Sequence, residues 1–258
     1  MYVKGMSKKS IMQEKESMLE ELYSFLCVCF GEPPKEFVWE YRDKNKTFIR
    51  TEMIKPIEFF NLYIGEVLKN YVSIINSPTS DKIYGKAYTV KYLGNVIGGN
   101  EVVYINTDIY TMKMLTKQQL KNNETVWFGS DVSKYMDIET GILDNEAYNY
   151  NVAFGMNFDM TKEERLDYRE SCMNHAMVIT GVNLCSDVPN RWKIENSWGD
   201  EKGDKGYLVM SDKWFDEYVY QVVINKNYLP KELKFALTQK PVVLDPWDPM
   251  ESLACSLG

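Results

Sequence analysis

The chain has 258 residues, of which 45% are hydrophobic, 14% aromatic and 26% charged. This balance is typical of a globular protein with a sizeable core, and it argues against the disordered, collagenous and low-complexity classes. Thirty basic and 37 acidic side chains give a formal net charge of −7. Because a net acidic surface repels phosphate backbones, we do not expect nucleic acid as a partner.

No part of the sequence approaches the run of about 18 apolar residues that crosses a bilayer. The longest candidate, Leu22 to Phe30, is bounded by Glu21 on one side and by Gly31 and Glu32 on the other. The N-terminal residues lead into a stretch rich in Lys, Ser and Glu, without the apolar segment of a signal peptide. We therefore expect a soluble, cytoplasmic protein without a membrane partner.

Five cysteines occur at irregular spacing, and the sequence holds a single histidine. An odd number of cysteines in a chain of this length predicts reduced thiols. Because one histidine without a Cys-x-x-Cys pair is a poor donor set for zinc, we expect neither a metal nor another cofactor. The cysteines are Cys27, Cys29, Cys172, Cys185 and Cys255.

The first predicted element is an amphipathic helix from Ser10 to Phe30, because apolar residues recur there close to the helical period. Ser10 followed by Gln13 is typical of a capping box at the start of a helix. Gly31 and the prolines after it supply the stop signal.

Two further helices are predicted before residue 125. The first begins at Pro56, a residue favoured in the first helical turn, and continues to about Leu68. The second runs from about Asp108 to Leu120, with Thr107 as its cap. A short strand is predicted over residues 37–41.

From Thr125 onward, short β-rich runs bounded by turn residues replace the helices. Two short helices interrupt these runs, one beginning at the capping box Thr161 to Glu164 and one covering Ser211 to Tyr218. The predicted strands cover residues 126–129, 176–182, 192–196, 206–210 and 220–224.

These patterns predict three parts. Residues 1–124 form a mainly helical region, and residues 125–240 form a β-rich domain. Residues 241–258 form a tail in which Pro241, Pro246 and Pro249 favour an extended arm over a surface or in a groove.

The residues most suited to chemistry lie in the β-rich part. His175 opens the apolar run 176–179, and Asn196 follows 21 residues later, two positions before Trp198. A lone histidine at the start of a strand is more often structural than catalytic. The combination with an asparagine and a tryptophan favours catalysis.

Nucleophilic catalysis by a cysteine needs an imidazole that accepts the thiol proton and a third group that orients the ring. The side-chain oxygen of Asn196 suits the third role, because it accepts the other ring N–H without adding a charge. The indole of Trp198 can shield this hydrogen bond from water, which strengthens it in a locally low dielectric. We therefore predict catalytic roles for His175 and Asn196 and a supporting role for Trp198.

Sequence blocks around these residues and elsewhere carry a family resemblance. His175-Ala176, Asn196-Ser197-Trp198-Gly199 and Gly206-Tyr207 resemble the histidine and asparagine blocks of papain-like cysteine peptidases. Further blocks are Gly31 to Pro34, Trp39 to Lys44, Pro56 to Phe59, Tyr88 to Gly99, Val126 to Gly129, Lys205 to Leu208, Trp214 to Tyr220 and Trp247 to Met250. Together they resemble the bleomycin hydrolase (aminopeptidase C) family, from about residue 10 to the tail.

The resemblance implies an α+β fold: a papain-like right-hand domain that is β-rich and barrel-like and carries inserted helices, with the left-hand helical domain missing. It also implies a cysteine aminopeptidase that removes N-terminal residues from peptide substrates by a Cys-His-Asn mechanism. Relatives assemble as hexameric rings, so residues 1–124 would be a helical insertion and oligomerisation region. The arm of relatives lies in the cleft, where its terminal carboxylate meets the α-amine of the substrate.

The sequence departs from the family at the nucleophile. Relatives carry a cysteine in a Gly-x-Cys-Trp setting with a glutamine shortly before it, and this sequence has neither motif. Cys27 and Cys29 lie in the apolar run of the first helix and are predicted to be core residues, while Cys172 and Cys185 neither precede a tryptophan nor open a helix. We therefore expect the C-terminal half of an aminopeptidase C-like protein, inactive alone. The alternative is a non-catalytic remnant that binds peptides or joins oligomers.

Overall fold

The computed structural model describes residues 5–94, 96 and 98–250. It divides into two units, residues 1–69 and residues 70–258. Within the described residues, none of the helices combines the length and apolar character that crossing a bilayer requires.

The first unit begins with helix α1, Lys8–Phe30. The predicted helix is confirmed, but the predicted cap at Ser10 is wrong. Ser7 is the cap, because its side-chain oxygen accepts the backbone N–H of Ser10 at 3.1 Å. The helix ends at Gly31, which has a φ of +85° and whose N–H donates to the carbonyl oxygen of Cys27 at 2.9 Å.

Helix α1 contains no buried residue. Val28 and Phe30 are 86% and 84% exposed. The prediction that Cys27 and Cys29 are core residues is wrong, since Cys27 is half-buried and Cys29 is exposed. Apolar periodicity marks the face of a helix that favours burial, but it does not specify what covers that face.

The rest of the first unit is a small hairpin and a helical segment. Strands β1 (Glu40–Arg42) and β2 (Phe48–Arg50) pair antiparallel. Helix α2 (Pro56–Phe60) begins at the predicted proline and continues through a π-helical turn, Asn61–Gly65, into α3 (Glu66–Leu68). An aromatic cluster packs between hairpin and helix, with Trp39 at 4.4–4.8 Å between ring centroids from its neighbours; they are Tyr41, Phe59 and Tyr63.

The second unit is built on one mixed sheet of eleven described strands in the order β13-β4-β5-β3-β12-β6-β9-β10-β11-β8-β7. The five strands predicted after Thr125 are confirmed as β6, β9, β10, β11 and β12. The strands are β3 Tyr71–Ile75, β4 Ala87–Val90, β5 Tyr104–Asn106, β6 Val126–Ser130, β7 Met136–Asp137, β8 Ile142–Leu143, β9 His175–Cys185, β10 Val188–Glu195, β11 Tyr207–Ser211, β12 Val219–Asn225 and β13 Val242–Leu244.

Strands β3, β4 and β5 precede residue 125 and were not predicted from the sequence. All four residues of β4 and all three of β5 are buried, so these strands lack the alternation of apolar and polar residues that marks a half-exposed strand. The change from helical to β-rich sequence at Thr125 therefore does not mark the point in the chain at which the sheet begins. The mixed helix-and-sheet composition agrees with the predicted α+β class, while barrel closure stays a prediction.

Five α-helices of the described residues accompany the sheet. They are α4 Ile109–Lys121, α5 Tyr150–Phe154, α6 Lys162–Asp167, α7 Asp212–Tyr218 and α8 Lys231–Ala236. The capping box between Thr161 and Glu164 at α6 is confirmed. The predicted cap of α4 is wrong, because Asp108 rather than Thr107 accepts the N–H of Thr111 at 2.9 Å.

The core of this unit is the buried face of the central strands with α4 and α7 packed on it. Trp192 of β10 and Phe215 of α7 lie with ring centroids 4.9 Å apart. Other fully buried members include Phe128, Ile179, Ile194, Met210, Trp214 and Val222.

The described part of the predicted arm, residues 241–250, is tied to the sheet. Strand β13 pairs parallel with β4. Beyond it, Asp248 forms an ion pair with Lys82 at 2.8 Å, with side chains only 8% and 2% exposed. Residues 251–258, which complete the predicted arm, lie outside the described residues.

We predict that Lys82→Met lowers the free energy of unfolding by about 3–5 kcal/mol, because removing one partner of a buried pair leaves the other charge uncompensated. Urea denaturation followed by tryptophan fluorescence measures the change. The matched control is Lys91→Met, since Lys91 joins the same two segments through an exposed pair with Asp245 at 2.9 Å, and exposed pairs contribute little. Equal losses in both variants would contradict the prediction.

Candidate active site

His175 is the first residue of β9, at the point where the strand joins the sheet. Its backbone is the register partner of Ser130 at the end of β6. The N–H of the preceding residue, Asn174, donates to the carbonyl oxygen of Ser130 at 3.0 Å. The histidine is half-buried, so its backbone is held firmly while part of its side chain stays accessible.

Strands β9 and β10 form an antiparallel hairpin closed by two residues, Ser186 and Asp187. Both have positive φ, at +51° and +67°, as a type I′ turn requires. Asp187 also pairs with Lys117 and Lys121 of α4 at 3.1 and 2.7 Å. The hairpin folds the chain back on itself, so that residues near 196 return to the start of β9.

Asn196 follows the last residue of β10 and lies beside His175. Its Oδ1 is 3.0 Å from Nε2 of the imidazole. The same Oδ1 accepts the backbone N–H of Ser197 at 2.8 Å, and because that donor needs an oxygen, it defines the orientation of the amide. An amide oxygen can only accept, so Nε2 of His175 carries the proton and donates, which leaves Nδ1 of the neutral ring as a proton acceptor.

Trp198 lies against the histidine. The two ring centroids are 4.7 Å apart with an interplanar angle of 32°. The indole therefore separates the imidazole from solvent on one side, and the tryptophan itself is 41% exposed. The structure thus brings together all three residues that the sequence singled out.

The amide nitrogen of Asn196 is buried, and it makes no hydrogen bond to the described part of the chain. A buried N–H group without an acceptor is costly. Rotating the amide by 180° would not relieve this cost, because the NH₂ group of Asn196 would then face the backbone N–H of Ser197, and two donors cannot bond to each other.

Neither of the two cysteines that the structure describes in the second unit, Cys172 and Cys185, is a free thiol beside this ring. Cys185 ends β9, about 33 Å along the strand from His175 at 3.3 Å per residue. Cys172 is disulfide-bonded, so the prediction of reduced thiols is wrong for this residue, because irregular spacing does not reveal proximity in the fold. Cys185 is a free thiol, as are Cys27 and Cys29 of the other unit, and Cys255 lies outside the described residues.

A hydrogen-bonded group of polar residues next to His175, in which Asp131 and Ser171 are buried, was not predicted from the sequence. Asp131 follows β6, and its carboxylate accepts hydrogen bonds from Ser171 and Asn174 at 2.8 and 2.6 Å. The only sequence signal was a polar residue directly after a buried strand. No group of three or more His, Cys, Asp or Glu side chains within the described ranges is arranged to hold a metal ion.

Comparison with known proteins gives a consistent picture. A family model described as Peptidase C1-like matches residues 1–251. Aminopeptidase C of Listeria innocua serovar 6a is 49% identical over 240 residues, which are 93% of this chain and 54% of that protein. Bleomycin hydrolase of Homo sapiens is 39% identical over 256 residues, which are 97% of this chain and 56% of that protein.

A solved structure shares the fold. PepW from Lactobacillus rhamnosis HN001 superimposes with a TM-score of 0.88 at 51% identity, over 95% of this chain and 55% of that chain. This chain therefore spans about half the length of the relatives it matches.

The turn that returns the chain from Asn196 to β11 depends on glycine. Gly206 has a φ of +82°, and a Cβ there would lie 2.9 Å from the carbonyl oxygen of Gly199. The carbonyl oxygen of Gly206 accepts the N–H of Asn196 at 3.1 Å. A side chain at this position would therefore displace the backbone that holds the asparagine.

We predict that Gly206→Ala destabilises the protein more than Gly199→Ala and shifts the imidazole resonances of His175. Gly199 has a similar φ of +87° but nothing within 4 Å of a built Cβ, so both variants bear a backbone cost of about 1–2 kcal/mol and only Gly206→Ala adds a collision. Urea denaturation and proton NMR of the single histidine measure the two effects. Identical behaviour of the two variants would refute this explanation.

Proposed function

The chain belongs to the Peptidase C1-like family, and on that basis we propose that it supplies the histidine and asparagine of a cysteine aminopeptidase. The predicted resemblance to aminopeptidase C and bleomycin hydrolase is confirmed by the relatives it matches. The observation that carries the functional proposal is the hydrogen bond of 3.0 Å between Nε2 of His175 and Oδ1 of Asn196. In this proposal both residues are catalytic and Trp198 supports them.

The geometry suits a histidine that shuttles one proton. With its Nε2–H held by Asn196, the ring presents Nδ1 to a thiol and accepts its proton, so a thiolate and an imidazolium form together. The thiolate adds to the scissile carbonyl carbon, and the imidazolium gives its proton to the leaving amine as the C–N bond breaks. Water then adds to the thioester, and the acid product and the thiol are released.

The thiol in this mechanism comes from outside the 258 residues, which contain no Gly-x-Cys-Trp motif. Losing the nucleophile of a catalytic triad costs on the order of 10⁶ in turnover. We therefore propose that the chain alone is inactive, and that activity needs the half of the family protein that this chain does not match.

The family resemblance also supports proposed roles for the three parts of the chain and a proposed class of substrate. Residues 1–124 contribute helices to an oligomer, which is a hexameric ring in relatives, and residues 125–240 carry the site. Residues 241–258 form an arm along the cleft. The substrates are peptides with a free N-terminus, in the cytoplasm.

A second candidate function is a non-catalytic module that binds peptides or joins oligomers. The exposure of the apolar residues of α1 favours it, because large exposed apolar surfaces mark sites of association. Catalytic reconstitution separates the two candidates.

We predict that the purified chain does not hydrolyse an aminoacyl fluorogenic substrate, and that adding the unmatched part of Listeria innocua aminopeptidase C restores hydrolysis. His175→Ala should abolish the restored activity, because no other histidine exists in this chain. Hydrolysis by the chain alone would contradict its inactivity. A complex that forms but stays inactive would favour the non-catalytic candidate.

In the reconstituted enzyme, we predict that Asn196→Ala lowers kcat by roughly 5- to 150-fold, which corresponds to a lost hydrogen bond of about 1–3 kcal/mol. KM should change little, because Asn196 contacts the ring rather than the substrate. The matched control is Asn190→Ala, at the far end of the same hairpin, where Asn190 accepts a hydrogen bond from Asn183 at 2.6 Å. A loss confined to KM, or an equal effect of the control, would argue against the assigned role.

A further inference from the structure

A buried carboxylate lies directly beside the strand that carries the histidine. Asp131 is 2% exposed. Its carboxylate accepts three hydrogen bonds, from Oγ of Ser133 at 2.7 Å, Oγ of Ser171 at 2.8 Å and Nδ2 of Asn174 at 2.6 Å. All three donors are neutral side chains, so the aspartate organises polar groups from two segments of the chain rather than neutralising a cation.

The hydrogen bonds around Ser171 have a single consistent direction. The hydroxyl of Ser171 gives its one proton to Asp131, so at its other contact it accepts from the hydroxyl of Tyr220 at 2.6 Å. The polar chain therefore runs from β12, through the segment before β9, to the carboxylate.

The network ends on Asn174, the neighbour of His175. Its Nδ2 donates to Asp131, its Oδ1 accepts the backbone N–H of Val132 at 3.0 Å, and its own N–H donates to the carbonyl oxygen of Ser130. Three hydrogen bonds thus tie the residue before the histidine to the end of β6. Two of the three pass through the side chain that Asp131 orients.

These three hydrogen bonds of Asn174 hold the backbone from which the imidazole of His175 extends. The ring meets Asn196 at 3.0 Å from a backbone position set by Asn174 and Ser130. A displacement of about 1 Å can cost roughly 10²-fold in rate when reacting groups must be aligned, and supporting residues hold catalytic groups within about 0.5 Å. A shift of about 1 Å at residue 174 would, if passed on to the ring, lengthen the 3.0 Å contact with Asn196 beyond hydrogen-bond distance.

We propose that Asp131 is a positioning residue, which acts through Asn174 to hold the imidazole of His175 against Asn196. The proposal rests on the proposed function, because it assigns a purpose to the orientation of a ring whose catalytic role is itself proposed. It does not make Asp131 a catalytic residue, since Asp131 acts only through its neighbour.

The test uses the fact that the 258-residue chain contains one histidine. In a long-range ¹H–¹⁵N spectrum of the ¹⁵N-labelled chain, the two imidazole nitrogens report which of them is protonated. We expect the Nε2–H form in the unmodified chain. In Asp131→Ala, Ser171 and Asn174 both lose their acceptor, and we expect the single form to be replaced by a mixture of both.

The control separates positioning from a general loss of stability. Asn106 is also fully buried, and its side chain makes two hydrogen bonds of 2.9 Å to the backbone of Ser77. Asn106→Ala should destabilise the fold, as measured by urea denaturation, and leave the histidine in the Nε2–H form. If Asp131→Ala also leaves the ring in that form, the proposal is wrong.

A second variant guards against failure of Asp131→Ala to fold. Asn174→Ala removes the link while the carboxylate keeps its two serine donors, and it should produce the same mixture of ring forms. An unchanged ring in Asn174→Ala overturns the proposal. Because neither spectrum depends on turnover, an inactive reconstituted complex would count against the proposed function while leaving this result intact.

Discussion

The antiparallel pairing of β9 with β10 is the constraint on which the candidate site depends. His175 and Asn196 are 21 residues apart in sequence, and their side chains meet only because the hairpin returns the chain to its starting point. Side chains alternate between the faces of a strand, so a slip of one residue in the register would move His175 to the other face. The tight turn at Ser186 and Asp187 and the buried Ile179 and Ile194 across the two strands oppose such a slip.

The sequence predicts structure best where the stabilising interaction joins residues that are close together in the chain. The capping box from Thr161 to Glu164 depends on residues three positions apart, and it was predicted correctly. The cap of α1 was misplaced because Ser7 and Ser10 both suit the role, and the choice depends on which backbone N–H groups remain without a helical partner. Asp108 and Thr107 present the same ambiguity at α4.

Features that depend on distant residues were not predictable in this way. Strand β3 lies between β5 and β12, whose residues come from 29 or more positions further along the chain, so its burial is decided by partners that its own sequence does not reveal. The disulfide of Cys172 and the exposure of Cys29 were missed for the same reason. By contrast, His175, Asn196 and Trp198 are predictable from sequence, because their residue types suit cysteine catalysis and the family resemblance brings the same sequence blocks together.

Burial is distributed unevenly along the chain. The sheet of the second unit has many fully buried side chains, whereas α1 has none despite its apolar residues. Helices in proteins draw most of their stability from packing of an apolar face, so an uncovered helix of this composition needs a partner surface. In the proposed function, that surface belongs to the oligomer or to the half of the family protein that this chain does not match.

A buried lysine lies over the ring of Tyr220, the residue at which the polar chain beside His175 begins. Nζ of Lys162 donates to the carbonyl oxygens of Asp216 and Val219 at 2.9 and 2.7 Å and lies 5.0 Å from the ring centroid of Tyr220. Removal from water lowers the pKa of Lys162 from 10.5 to about 7.

The lowered pKa of Lys162 makes the stability of the fold depend on pH. Between pH 7 and 10.5 the unfolded chain holds this proton more tightly than the folded one, so the contribution of Lys162 to stability rises with pH across that range, while below pH 7 the full cost of a buried ammonium applies. Both the charged and the neutral amine have enough N–H groups for the two carbonyl oxygens. The lysine can therefore lose its proton without releasing β12, and the hydroxyl of Tyr220 stays in place to support Ser171, Asp131 and the start of β9.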